Sequence, residues 1–339
     1  MISCLSTRIN PVNHPFYALI GLFFPLWFFL NVFFFIFWIV FRKIYLLISL
    51  IAVLLFLPLL SRFVQFHFKS RHDENAVSIM TWNVKNFDLY NWTHNKDTRT
   101  EMMKLIETEN PDVLCLQEFY NEDQGDFMNI DQIKNELGYP YYYFSSSVTL
   151  RDNDHWGIAT FSKFPIGGSG NVEFENSINN KAIYTDIRFP SKIIRVFNTH
   201  LQSVYFDDED YQYLEEVEDI NPDMKSSKRI FGKLLRAYSK RAEQARLLKS
   251  KMNESEIPVI LCGDFNDTPV SYSYETLSKN LQDSFKKRGK FFGRTYSGSI
   301  PLLRIDYILL DKSFEVISHQ VIHKKLSDHF AVACEFVIE

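Results

Sequence analysis

The chain has 339 residues, of which 46% are hydrophobic, and a formal net charge of −4 at pH 7. Its four cysteines show no CxxC spacing, which excludes a disulfide scaffold and a cysteine zinc site, and its 12 glycines and 12 prolines exclude a collagen-like or low-complexity chain. These averages conceal two unlike parts. Residues 1–72 carry six Lys or Arg and no acid, so residues 73–339 have a net charge of −10, which argues against non-specific coating of nucleic acid.

The N-terminal part predicts a transmembrane helical hairpin over residues 1–61. Residues 16–41 and 44–60 contain no charged side chain, and only Arg42 and Lys43 separate the two runs. At 1.5 Å per residue the runs span roughly 39 and 26 Å, against a hydrocarbon core of about 30 Å. A signal peptide fits poorly, because the first run is too long and no small-residue cleavage site follows it. We therefore expect two helices, at about 16–41 and 44–60, that bind a lipid bilayer.

The side of the membrane on which the rest of the chain lies is left open by the charges. The turn of the hairpin carries two basic residues and its flanks carry four, a count that favours a cytoplasmic position for residues 76–339. The two basic residues of the turn, however, lie directly at the helix ends. Two of the four flanking residues, Lys69 and Arg71, are about ten residues past the second run.

Residues 62–75 are predicted to form a linker, and residues 76–339 a single domain of strands with a few helices. Short apolar runs typical of strands begin at Ala76 and recur to the end of the chain. Helical spacing is found over residues 100–109 and 226–252. The second helix is basic and follows residues 207–219, which hold eight acids and are expected to form a solvated loop. Many strands with occasional helices favour two packed sheets with helices outside them.

Almost every predicted strand ends in a short polar cluster. If these ends converge, they bring together four carboxylates, which repel each other unless a cation compensates them. An oxygen-rich set without cysteine suits Mg²⁺ or Mn²⁺ better than zinc. The four carboxylates are those of Glu118, Asp264, Asp306 and Asp328.

Together and in this order, the clusters resemble the endonuclease/exonuclease/phosphatase superfamily, the deoxyribonuclease-I-like phosphoesterases. The resemblance covers residues 76–339, and its most distinctive pieces are Gly-Asp-Phe-Asn at 263–266 and Ser-Asp-His at 327–329. It implies an α+β fold, a four-layer α/β/β/α sandwich of two mixed β-sheets, here preceded by the hairpin. The motifs are most similar to a bacterial membrane-anchored branch, whose catalytic domain lies outside the cytoplasmic membrane, and we therefore prefer the extracytoplasmic side.

The resemblance also implies roles for individual residues. Glu118 is expected to be the principal metal ligand, with Asn83 and Asp328 completing the shell around Mg²⁺ or Mn²⁺. Asp264 orients or deprotonates the attacking water, and Asn266 holds a phosphate oxygen. His329, oriented by Asp306, acts as acid, base or charge stabiliser, and His200 donates to the phosphate or assists the leaving group.

These expectations define a membrane-anchored, metal-dependent phosphodiesterase or phosphatase that acts by direct water attack. Its substrate is a phosphate ester carried by nucleic acid, by a phospholipid head group or by a soluble molecule, and no obligate protein partner is inferred. The alternative is a catalytically inactive binding or scaffold domain of the same fold. The complete set of polar residues at the strand ends argues against that alternative.

Overall fold

The computed structural model describes residues 2–68, 73–175, 177, 179–204, 209–210, 224–298 and 302–338. Most strands of the described chain belong to two six-stranded sheets. Sheet A contains, in spatial order, β13 (Phe314–Ile322), β14 (Ala331–Ile338), β2 (Val77–Asn83), β3 (Val113–Glu122), β5 (Asp154–Ser162) and β4 (Tyr141–Leu150). Sheet B contains β10 (Leu281–Asp283), β12 (Asp306–Asp311), β9 (Val259–Asp264), β8 (Ile193–His200), β7 (Lys181–Arg188) and β6 (Ile166–Val172). A separate two-stranded ribbon pairs β1 (Val64–Phe66) with β11 (Lys290–Phe292).

The helices lie before the sheets in the chain and on their outer faces. They are α1 (Ile2–Leu5), α2 (Phe16–Leu22), α3 (Phe24–Phe41), α4 (Lys43–Leu60), α5 (Thr98–Glu109), α6 (Asn129–Asp131), α7 (Met224–Asn253), α8 (Tyr272–Ser278) and α9 (Ser284–Arg288). A 3₁₀ turn at Lys85–Asp88 and a π-helical turn at Gln132–Glu136 complete the regular elements of the described residues.

The two sheets are both mixed and pack face to face. In each sheet one central pair is parallel, β2 with β3 and β8 with β9, and the other pairs are antiparallel. The core between the sheets includes Ile79, Ile260 and the free thiols of Cys115, Cys262 and Cys334. The predicted α+β sandwich of two mixed sheets is therefore confirmed.

A helical layer covers the outer face of each sheet. Met102 and Ile106 of α5 pack on the outer face of sheet A, and Leu248 of α7 packs on that of sheet B. Strand residues that point outward are apolar for this reason, so Trp82 and Phe197 are as buried as residues of the central core. These contacts give the four-layer order that the sequence predicts.

The N-terminal segment differs in detail from the expected pair of helices. Residues 16–41 form two helices, because the chain breaks at Phe23 and Pro25 lies in the first turn of the second helix. The first of them, α2, packs with Ala18 and Leu19 against Tyr238 of α7 and is part of the folded domain.

The two longer helices, α3 and α4, are apolar and almost uncovered. Each is long and apolar enough to cross a membrane, and only 6% and 17% of their residues are buried in the structure. Exposed apolar area of this size is rare on soluble monomers. The pair is a candidate membrane hairpin.

Two segments singled out in the sequence are described only in part. Residues 69–72 of the predicted linker lie outside the described residues, as does most of the acidic segment 207–219. Within that segment Asp210 is buried and accepts hydrogen bonds from Arg229 and Lys233 of α7. At least part of the positive charge of the basic helix is thus neutralised inside the chain.

A buried ion pair joins the end of the hairpin to sheet B. Arg304, fully enclosed between the rings of Phe285 and Tyr307, binds both carboxylate oxygens of Asp283 at 2.5 and 2.6 Å. Its other terminal nitrogen donates to the carbonyl oxygen of Arg62 at 2.8 Å. Burial works to raise the pKa of Asp283, but the charge of Arg304 outweighs it and holds this pKa below its usual value.

We predict that Asp283→Asn lowers the free energy of unfolding by about 3 kcal/mol, because it leaves the buried guanidinium without its counter-charge. Because the pKa of Asp283 is depressed in the folded state, its contribution is present above the pKa of the unfolded chain and is lost as pH falls through the folded value. Thermal unfolding of both proteins across acidic pH measures this effect. Asp311→Asn, at the exposed end of β12, serves as the control. Equal stability of D283N and wild type at pH 7 would refute the assignment.

Candidate active site

Five strand ends place polar side chains at one end of the sandwich. Because β8 and β9 are parallel and β12 runs antiparallel to β9, the pairing sets His200 opposite Asp264 and Asp264 opposite Asp306. The parallel pair β2 and β3 brings Asn83 beside Gln117 in sheet A. A loop before β14 supplies the remaining residues, and Trp82 Nε1 donates to the carbonyl of His329 at 2.9 Å to hold that loop. The structure thus brings together Asn83, Glu118, His200, Asp264, Asn266, Asp306, Asp328 and His329.

A β-bulge aims Glu118 into this site. The register between β3 and β5 shifts between Leu116 and Phe119, and Glu118 takes a left-handed φ of 46°. A non-glycine residue in this region costs of the order of 1 kcal/mol or more, and such strain is typical of functional sites. The bulge lets the carboxylate of Glu118 leave the strand at the lip of the cleft, where a third of its side chain is exposed.

The carboxylates of Glu118 and Asp328 form the more open half of the site. Glu118 Oε1 accepts a hydrogen bond from Asn83 Nδ2 at 3.0 Å, and Asp328 Oδ2 is paired with Lys85 Nζ at 2.8 Å. Burial and the neighbouring charge of Asp328 raise the pKa of Glu118. The pKa of Asp328 is instead lowered, because His329 and Lys85 outweigh the effect of its burial.

The buried half of the site is an imidazole held between two carboxylates. His329 Nδ1 lies 3.0 and 3.1 Å from the carboxylate oxygens of Asp306, and its Nε2 lies 3.7 Å from Asp264 Oδ2. Although burial works against the charged form, these carboxylates raise the pKa of His329 well above its usual value. Burial raises the pKa of Asp264 to about 6, against the lowering effect of the nearby histidines.

His200 presents a buried nitrogen without a hydrogen-bond partner among the described residues. Its Nε2 lies 3.6 Å from both Glu118 Oε1 and Asp264 Oδ2, beyond hydrogen-bond distance. Burial lowers the pKa of His200. A buried polar atom in this state calls for a partner that is not part of the protein, and here it faces the cleft.

Asn266, two residues after Asp264, contacts both oxygens of the Asp264 carboxylate. It has a left-handed φ of 52°, and its backbone N–H donates to Asp264 Oδ1 at 2.7 Å. Its side-chain nitrogen lies 3.0 Å from the carbonyl of Leu201 and 3.1 Å from Asp264 Oδ2. In this arrangement the Asn266 amide orients the Asp264 carboxylate.

Three residues that contact this site were given no role from the sequence. Lys85 neutralises Asp328, and the buried amides of Gln117 and Asn198 bond across the two sheets at 2.6 Å. Asn198 Nδ2 also donates to the carbonyls of Leu116 and Ala159, which flank the bulge that carries Glu118. The sequence signal was present for Gln117 and Asn198, which belong to polar clusters at predicted strand ends. Lys85 lies two residues past the end of β2.

A cleft of about 420 Å³ opens beside Glu118 and His200. Its wall combines polar side chains with two aromatic rings, so it accommodates a charged group that carries an organic substituent. The lining residues are Asn86, Tyr90, Glu118, Ser147, Val148, Leu150, Trp156, Gly157, Asn179, His200 and Ser203.

The donor set fits a hard divalent cation. Among the described residues, Asp264, Asp306 and His329 place ligand atoms within 4.8 Å of one another, as a metal site requires. The raised pKa of His329, however, favours a doubly protonated ring, which has no lone pair for a metal. The oxygens of Glu118, Asp328 and Asn83 are the alternative, because carboxylate and amide oxygens are the ligands that a hard cation prefers.

Comparisons with known proteins agree with this geometry. Residues 80–329 match the endonuclease/exonuclease/phosphatase family, and residues 1–63 match a domain of unknown function, DUF8431. A comparison with curated proteins finds no match.

Several solved structures share the fold at low identity. An endonuclease/exonuclease/phosphatase from Beutenbergia cavernae is 19% identical, with a TM-score of 0.57 over 78% of this chain and 72% of that one. The mannosyl-6-phosphatase Bt3783 of Bacteroides thetaiotaomicron is 18% identical, with a TM-score of 0.56 over 77% and 100% of the two chains. D. rerio TDP2, complexed with a single-strand DNA product, is 17% identical, with a TM-score of 0.53 over 78% and 99%. With the family match spanning most of the chain, the protein belongs to the endonuclease/exonuclease/phosphatase family.

Proposed function

We propose that the protein is a membrane-anchored phosphoesterase that depends on a divalent metal and hydrolyses a phosphodiester or phosphomonoester by direct attack of water. The observation that carries the proposal is the convergence of the His329–Asp306 pair, the Asp264 carboxylate and the unpartnered Nε2 of His200 beside one cleft. This combination offers a proton acceptor and two donors around one volume. Family members hydrolyse phosphoesters, which is the reaction class that such a set serves.

Glu118, Asn83 and Asp328 would hold the cation, Mg²⁺ or Mn²⁺. When bound, it supplies positive charge for the negative charge that develops on the phosphate oxygens. Lys85 Nζ is paired with Asp328 Oδ2 at 2.8 Å, which reduces the repulsion between this carboxylate and Glu118.

The buried residues move the protons. Asp264, held by Asn266 and Asn83, accepts the proton of the attacking water. His329 donates from Nε2 to the phosphate, and Asp306 fixes its ring through Nδ1. His200 donates from its unpartnered nitrogen to a phosphate oxygen or to the leaving group. Acid–base groups placed in this way contribute roughly 10²–10⁴-fold each to a rate.

The substrate carries its phosphate on nucleic acid, on a phospholipid head group or on a soluble molecule. Two structural neighbours illustrate the range, since their names specify a mannosyl-6-phosphatase and a complex with a single-strand DNA product. The polar and aromatic cleft wall accepts a ring next to the phosphate. A panel of plasmid DNA, sphingomyelin, phosphoinositide, sugar phosphates and nucleotide monoesters, each with Mg²⁺ and with chelator, separates these classes.

We predict that Glu118→Gln lowers Mg²⁺-dependent hydrolysis of bis-p-nitrophenyl phosphate by about 10²-fold or more, because the amide keeps the shape of the side chain but not its charge. Chelation of the wild type should give a similar loss that added Mg²⁺ or Mn²⁺ reverses. The matched control is Glu107→Gln on the exposed face of α5. Full activity of E118Q would overturn the metal assignment, and no activity in the wild type would favour an inactive scaffold.

We predict that Asn198→Ala lowers kcat at least about tenfold. The substitution removes the donor to the carbonyls of Leu116 and Ala159, which flank the bulge that carries Glu118, and it removes the acceptor of the Gln117 amide. Unsatisfied buried polar groups cost about 1–3 kcal/mol, so thermal unfolding is measured in parallel. Asn171→Ala, on exposed edge strand β6, is the control. Loss of stability with unchanged kcat would mean that Asn198 only supports the fold.

We predict that the full chain stays in the membrane fraction after alkaline carbonate extraction, because α3 and α4 expose apolar surface along their length.

We propose further that the catalytic domain lies outside the bacterial cytoplasmic membrane. Protease added to intact spheroplasts should therefore remove the domain, while a cytoplasmic marker survives. Extraction into the soluble fraction would contradict anchoring. Protection of an anchored domain would contradict only the orientation.

A further inference from the structure

The ribbon of β1 and β11, together with Phe68, exposes an aromatic surface next to the hairpin. We call these residues, 64–68 and 290–292, the Phe ribbon. Four phenylalanines project from it with more than half of their surface accessible: Phe66 at 66%, Phe68 at 60%, Phe291 at 59% and Phe292 at 52%. The rings of Phe68 and Phe291 contact each other at 5.5 Å between centroids.

The Phe ribbon is built from two distant parts of the chain. Val64 pairs with Phe292 and Phe66 with Lys290, and the ladder continues through hydrogen bonds from His67 N to Gly289 O and from Gly293 N to Phe63 O. An isolated two-stranded ribbon is marginal in water. Exposed phenylalanines on such a ribbon therefore favour an apolar environment beside it.

The short stretch of chain between α4 and the ribbon limits how far the ribbon can lie from the end of the hairpin. Helix α4 ends at Leu60, and the first ribbon residue, Val64, follows four residues later. Four residues of extended chain reach at most about 14 Å. The head-group layer of a bilayer is about 5–8 Å thick on each side of the hydrocarbon core, so the ribbon begins within this layer or a few ångströms beyond it if α4 spans the core.

Apolar contact also runs without interruption from hairpin to ribbon. Phe63 packs with Phe24 and Phe56 at the base of the two helices. An apolar groove then joins Phe28 of α3 to Val64 and Phe292 of the ribbon. The exposed ribbon is thus a continuation of the surface that α3 and α4 present.

The charges beside the ribbon complement a lipid surface. Lys286 and Lys287 on α9 and Lys290 on β11 are all exposed. Phenylalanines flanked by lysines are typical of segments that lie in the membrane interface and bind anionic head groups.

We propose that the Phe ribbon is a second membrane contact, which inserts its phenylalanines at the boundary between head groups and acyl chains of the leaflet that α4 leaves. The inference rests on the membrane anchoring proposed above. Its occupant is a lipid surface with anionic head groups.

The contact has a consequence for the active site. The segment that follows β11 supports it: Thr295 Oγ1 accepts the backbone N–H of Asp306 at 3.1 Å, and Ser297 N donates to the carbonyl of Asp328 at 2.7 Å. A ribbon fixed at the bilayer therefore sets the height and orientation of the catalytic residues relative to the lipid.

The test uses the full chain in vesicles of phosphatidylcholine and phosphatidylglycerol, with Cys4 replaced by serine and the three buried cysteines retained. F68C, F291C, I36C and Y142C are each labelled with an environment-sensitive fluorophore, and quenching by doxyl-labelled lipid is measured. Ile36 lies on α3, and Tyr142 is an exposed residue of β4 at the opposite edge of sheet A from β13.

We expect the labels of F68C and F291C to be quenched several-fold more strongly than that of Y142C, and more strongly in vesicles with phosphatidylglycerol than without it. Quenching of I36C with no excess quenching at positions 68 and 291 would overturn the ribbon contact and leave the anchor intact. A blue-shifted but unquenched label at these positions would mean that protein, not lipid, covers the ribbon. Absence of quenching in I36C would refute the anchoring itself, and the ribbon contact with it.

Discussion

Mutual repulsion of four carboxylates at one end of the sandwich is the constraint on which the rest of the site depends. Each charge has a specific compensation. Lys85 neutralises Asp328, the imidazole of His329 lies between Asp306 and Asp264, and amide hydrogens of Asn83 stabilise Glu118. Of the four, Glu118 has the most open position, and burial together with the charge of Asp328 raises its pKa. A divalent cation beside it, as proposed above, would complete the balance.

Two sheets are needed to place these groups, because no single strand carries more than one part of the set. The buried Gln117–Asn198 bond crosses the interface directly beneath Glu118 and His200. It couples the bulge of β3 to the end of β8, so movement of one sheet against the other would displace the carboxylate. A buried polar pair in an otherwise apolar core restricts the sheets to one alignment at some cost in stability, and here that alignment is the one that forms the cleft.

The membrane and catalytic parts meet through packing that the composition alone does not reveal. Helix α2 packs against α7, and Phe63 packs between the start of α3 and the end of α4. Arg304 donates hydrogen bonds both to Asp283 and to the backbone carbonyl of Arg62. Two residues after Arg304, Asp306 orients His329. The end of the hairpin and the His329–Asp306 pair are therefore held by neighbouring residues of one segment.

The sequence by itself determined the two-sheet class and the apolar hairpin, because alternation and charge-free length are local signals. Its resemblance to the family named eight candidate site residues, and the structure brings these to one end of the sandwich. Only the tertiary structure decided that α2 belongs to the folded domain, since Ala18 and Leu19 are apolar enough for lipid or for protein. It also decided the partners of Lys85 and Asn198 and the exposure of the Phe ribbon. These depend on contacts between residues more than 80 positions apart in the chain, and no local pattern encodes which distant strand a side chain will meet.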